Sequence, residues 1–67
     1  MKITGEMMEE WGYHAIACES NTVAYANDEG QIAVFGPNGC AIRTPAGIQY
    51  EMTWQEVQDK GEKAFVK

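Results

Sequence analysis

The sequence predicts an α+β domain: a short N-terminal helix, an antiparallel β-meander of four or five strands, and a C-terminal helix packed on one sheet face. Three observations carry that prediction. Apolar residues first recur at helical spacing, the period then drops to two between regularly placed turn residues, and a capping signature reopens helical spacing near the end. At 67 residues, 45% of them hydrophobic, the chain is expected to fold as one domain over residues 1–67, not to act as a disordered tail.

The first helix is expected to start at Thr4, whose hydroxyl can cap it, with Glu6 in the first turn near the positive end of the helix dipole. At about 100° per residue, Met7, Met8 and Trp11 share one face and Glu6, Glu9 and Glu10 the other. Gly12 is a natural stop. So few turns cannot stand alone in water, so the apolar face is expected to cover the sheet.

Turn signals then recur in "NDEG" at 27–30, "GPNG" at 36–39 and "PAG" at 45–47, which places strands near 14–19, 23–27, 31–36, 40–44 and 48–53. Alternation sorts Val23, Tyr25, Ile32, Val34, Ile42, Ile48, Tyr50 and Met52 onto one face that needs a cover. The other face is expected to carry Ala24, Ala26, Ala33 and Ala41 with Phe35, Arg43, Gln49 and Glu51. A face of alanines is flat. It serves either as a half-exposed sheet surface or as the contact for a second copy, a homodimer, with pairing at the strand edges as a further route.

The tail opens with a capping box, Thr53 and Glu56, in which hydroxyl and carboxylate satisfy each other's nearby amides. Trp54, Val57, Gly61, Ala64 and Phe65 form one stripe. Gly61 either ends the helix at Lys60 or lets it approach the sheet closely, and continuation of the stripe through Phe65 favours the second.

Catalytic and metal chemistry find little purchase. His14, Cys18 and Cys40 could begin a zinc site or a thiolate nucleophile, but on an extended strand His14 and Cys18 stand about 13 Å apart at roughly 3.3 Å per residue. The two cysteines lack the close spacing of a redox or metal pair and read as free, buried thiols. Gly36-Pro37-Asn38-Gly39 lacks the lysine and the strand-to-helix setting of a phosphate loop and reads as a hairpin turn. No enzyme, metal or cofactor is expected.

The charge pattern is more informative. The net charge of −5 falls wholly in residues 1–42, where Glu6, Glu9, Glu10, Glu19, Asp28 and Glu29 face Lys2 alone; residues 43–67 hold four of each sign. Such an excess disfavours direct binding to nucleic acid or to an anionic membrane surface, and attracts a basic partner. No run is apolar enough to act as a signal peptide or to span a bilayer, which points to a cytoplasmic protein.

The expected function is therefore a non-catalytic binding module in which Glu6, Glu9, Glu10, Asp28 and Glu29 engage the basic, nucleic-acid-binding groove of a larger protein. Size and charge make the analogy with phage or mobile-element inhibitors of host defence, anti-CRISPR proteins among them, some of which mimic DNA. The alternative is an oligomeric sponge or sensor for a nucleotide-like ligand, held at a subunit interface on Ala24, Ala26, Ala33 and Ala41 beside Arg43, Tyr50 or Trp54.

Overall fold

A computed structural model of the chain describes residues 3–66. Its elements run α1 (Gly5–Glu10), β1 (Tyr13–Glu19), β2 (Thr22–Asn27), β3 (Ile32–Gly36), β4 (Gly39–Arg43), β5 (Gln49–Met52) and α2 (Trp54–Lys60), followed by a turn of 3-10 helix at Gly61–Ala64. The strands form one sheet in chain order, every neighbour antiparallel. The α+β meander expected from the sequence is the observed fold.

Local chemistry accounts for the element ends. The Thr4 hydroxyl accepts from the Met7 amide at 3.2 Å, satisfying one of the amides that a helix start leaves open. At α2 the capping box is complete: the Thr53 hydroxyl accepts from the Glu56 amide and the Glu56 carboxylate accepts from the Thr53 amide. The β3–β4 hairpin turns on Pro37 and Asn38, and Gly39 takes a φ of 140° to rejoin the ladder. At Asn27 the side-chain oxygen accepts from the Glu29 and Gln31 amides, closing the β2–β3 turn on itself.

Register divides the sheet into two faces of different character. Ala15, Tyr25, Ala33, Ile42 and Tyr50 form one cross-strand row, and Cys18, Val23, Phe35, Cys40 and Met52 the next. Both rows are on the helix side of the sheet, covered at their centre, with Ala15, Cys18 and Tyr50 exposed at the margins. The core comprises Met8, Tyr13, Ala33, Phe35, Cys40, Ile42, Val57 and Phe65. Phe35 is its hub, its ring 5.9 Å from Tyr25, 5.8 Å from Trp54 and 5.6 Å from Phe65.

This packing corrects the sequence reading of β3. Ala33 is 0% exposed beneath the helices and does not share a face with Ala24, Ala26 and Ala41; Ile32 and Val34 take that side instead. The physical reason is Phe35. Two residues from Ala33 and therefore on the same face, it buries a whole ring among three others, which outweighs what Ile32 and Val34 would gain there. Ala33 is the small residue that lets the helices sit close.

Three further features depart from the sequence reading. The α-helix stops at Lys60, because Gly61 turns with φ 55° into the 3-10 segment, and this redirection drops the Phe65 ring onto the core 5.6 Å from Trp11 and 6.1 Å from Tyr13. In β1 a bulge between Ala15 and Ala17 breaks simple alternation, so that Ala15 pairs Tyr25 while Ala17 pairs Ala24. Cys18, expected inside, is exposed at the strand end; Cys40 is buried, and both are free thiols.

Candidate functional site

The residues that distinguish this surface are carboxylates. Glu6, Glu9, Glu10, Asp28 and Glu29 are all exposed. Met8 supplies the reason on α1: buried beneath the helix at 1% exposure, it fixes the rotation that turns the three glutamates outward. Antiparallel topology supplies the rest. The entry to β1 and the β2–β3 turn lie at one end of the sheet, since Tyr13 pairs with Asn27. A groove of about 280 Å3 there is lined by Trp11 and Gly12, by Asn27, Asp28 and Glu29, and by Phe65 and Val66.

The sequence thus places two acidic segments, and the fold brings the second to the C-terminal end of the first. Trp11 stacks on Phe65 with rings 15° from parallel, which anchors that end of α1. Below it, the Tyr13 hydroxyl donates to the Phe65 carbonyl at 2.9 Å, with the Gln31 side-chain oxygen 3.4 Å away; Gln31 in turn accepts from the Asn27 amide group at 2.8 Å. Burial, and after it the charges of Cys40 and Glu29, push the Tyr13 hydroxyl above the ordinary tyrosine pKa and keep it a donor. The acidic turn therefore rests on a tied-down base.

The second surface is the open face of the sheet. One row across it is His14, Ala26, Ile32, Arg43 and Gln49; the next is Ala17, Ala24, Val34, Ala41 and Glu51. Ala24, Ala26, Ala41 and Arg43 stand where the sequence put them, and Ala33 does not. Sorting by size missed Ile32 and Val34; Phe35, too large to leave in water two residues from Ala33, was the signal that could have found them.

No protein-family model, curated protein or solved structure matches the chain.

Among the described residues, His14, Cys18 and Cys40 are not brought together as a catalytic group. His14 and Cys18 fall on opposite sides of the sheet, paired with Ala26 and Val23. Burial pushes the Cys40 thiol up to about 12, which removes it as a nucleophile near neutral pH. Among the described residues no three His, Cys, Asp or Glu side chains are grouped to hold a metal ion, and no helix is long and apolar enough to cross a membrane. Of the residues expected to flank a ligand beside the alanines, Arg43 is on the open face, whereas Tyr50 is on the helix side, where it is still exposed, and Trp54 stacks on Phe35 and donates to the Gly36 carbonyl at 3.0 Å.

Proposed function

We propose that the protein is a non-catalytic binding module whose acidic end engages a basic, nucleic-acid-binding surface of a larger protein. The observation that supports this reading is the placement of Asp28 and Glu29 across one groove from Trp11 and Gly12, the residues that directly follow α1 with its exposed Glu9 and Glu10. Charge held at one end of a small rigid body steers an encounter and discriminates among partners more than it adds affinity. Spaced carboxylates on a firm base offer a basic groove what a phosphate backbone offers it. Inhibition by occupancy follows, of the kind that phage and mobile elements direct at host defence proteins.

Capture from bacterial lysate tests the reading. The tagged protein is expected to retain a nucleic-acid-binding protein at low salt and release it at high salt, since exposed charge pairs are screened within about 10 Å at 0.1 M ionic strength. A variant carrying Glu9→Lys, Glu10→Lys and Asp28→Lys is expected to retain nothing of that partner. Retention that survives the reversal, or no retention by the wild type at low salt, overturns the proposal.

A further inference from the structure

We infer that the open face of the sheet is a two-fold interface with a second copy of this chain. The face is apolar at its centre and polar only at its margins. Ala24, Ala26, Ile32, Val34 and Ala41 form the middle of two complete rows, and all are only partly covered by their own chain. None is longer than isoleucine, so two such faces can meet without interlocking large side chains. Face-to-face antiparallel sheets with small and β-branched inner residues are an ordinary way to close a layered structure.

Charge selects the orientation. The only cation in the two rows is Arg43, one strand from Gln49 at the sheet edge; the only carboxylate is Glu51, at that same edge in the other row. A two-fold axis running across the strands, midway between the rows, lays each row on the other row of the partner copy. Ile32 then meets Val34 and Ala26 meets Ala24. Each Arg43 lies over Ala41 of the partner subunit, with Glu51 of the partner subunit one strand away, about 4.8 Å to the side. By symmetry the contact is made twice.

The alternative axis, along β3, would lay each row on itself and leave Arg43 over Ala26 of the partner subunit, with no carboxylate beside it. It would also bring both acidic β2–β3 turns to one end. The axis across the strands sends them to opposite ends, and leaves α1 and its glutamates on the outer surfaces. Attraction and avoided repulsion therefore point to one arrangement.

Its size sets the strength. Five strands at about 4.8 Å spacing and two rows about 7 Å apart give a footprint on the order of 300–400 Å2 per copy, below the roughly 800 Å2 per partner of a standard specific interface. Association is therefore weak, setting in at high micromolar to millimolar concentration.

Sedimentation velocity and small-angle scattering up to roughly millimolar protein test the inference. The wild type is expected to move from 7.4 kDa toward twice that mass as concentration rises. Arg43→Glu and Glu51→Arg are each expected to weaken association about tenfold or more, and the double variant to restore it, because the swapped pair has the same geometry with its signs exchanged. Both positions are exposed, so the fold survives the changes. Glu9→Lys with Glu10→Lys is expected to leave the dimer unchanged, which separates this result from the capture experiment. A monomer at every concentration, or a dimer indifferent to both single reversals, overturns the inference.

Discussion

The Tyr13 hydroxyl donates to the Phe65 carbonyl oxygen at 2.9 Å, joining the first strand to the C-terminal segment across 52 positions of sequence. The bond is buried, and the two rings also meet edge to face. It closes the molecule: the last turn of chain is held over the first strand, and the groove carrying Asp28 and Glu29 is built on that closure.

Tyr13→Phe keeps the ring and removes the donor. The Phe65 carbonyl then lies at a buried position without its partner, at a cost of about 1–3 kcal/mol. The midpoint of urea unfolding is expected to fall with an unchanged slope, and amide exchange in residues 61–66 to quicken more than in the central strands. An unchanged midpoint would mean that ring packing alone holds the segment.

Gly39 is constrained both by its neighbours and by its backbone conformation. A β-carbon there would collide with the Met52 carbonyl oxygen, and its φ of 140° is one that side-chain-bearing residues rarely adopt. Gly39→Ala is therefore expected to cost about 3 kcal/mol or more, most of what a core this small supplies. Gly36→Ala, at the facing position where a β-carbon meets nothing, is expected to change stability by less than about 1 kcal/mol. Parallel thermal melts of the two variants make the comparison, and similar losses would contradict this account of the hairpin.

Those hairpin glycines belong to the part of the fold legible in the sequence. Turn residues, caps and alternation are local signals, so the five strands, the Thr4 cap and the Thr53 and Glu56 box follow from neighbouring residues alone. The face of β3 was not legible by size, because Phe35 goes inward only when Trp54 and Phe65 arrive from the far end of the chain. The end of α2 was hidden for a related reason: the apolar stripe continues past Gly61, but in a 3-10 turn instead of an α-helix. Of the candidate site, the carboxylates were legible as charge. That the acidic β2–β3 turn lies at the end of the sheet where β1 begins needed the pairing of Tyr13 with Asn27.

The two thiols are expected to differ sharply in reactivity. Cys18 is exposed at the end of β1, whereas Cys40 is buried and its thiol is held up to about 12. Because the thiolate is the species that alkylates, iodoacetamide at neutral pH is expected to add once to the folded protein and twice after denaturation. Peptide mapping should place the first adduct on Cys18. Rapid double labelling of the folded chain would mean that β4 opens far more often than its packing implies.

Alkaline pH probes the same burial thermodynamically. In the unfolded chain the Cys40 thiol titrates near 9.0, and in the folded protein near 12. Above the lower value the unfolded state has released a proton that the folded state retains, so unfolding is favoured progressively until the higher value is reached. Below the lower value the group contributes no pH dependence. Tyr13 acts in the same direction but begins later, its hydroxyl raised by burial from an ordinary value of 10.0. Stability is therefore expected to be level from neutral pH to about 9 and to fall beyond it. Cys40→Ala should delay the onset of that fall to the range where tyrosine titrates, and adding Tyr13→Phe should flatten it further, each variant being compared with its own stability at neutral pH. Urea midpoints measured at about pH 7 and about pH 11 decide the matter: a wild-type fall that Cys40→Ala leaves untouched would assign the alkaline transition to surface charge repulsion instead of the buried thiol.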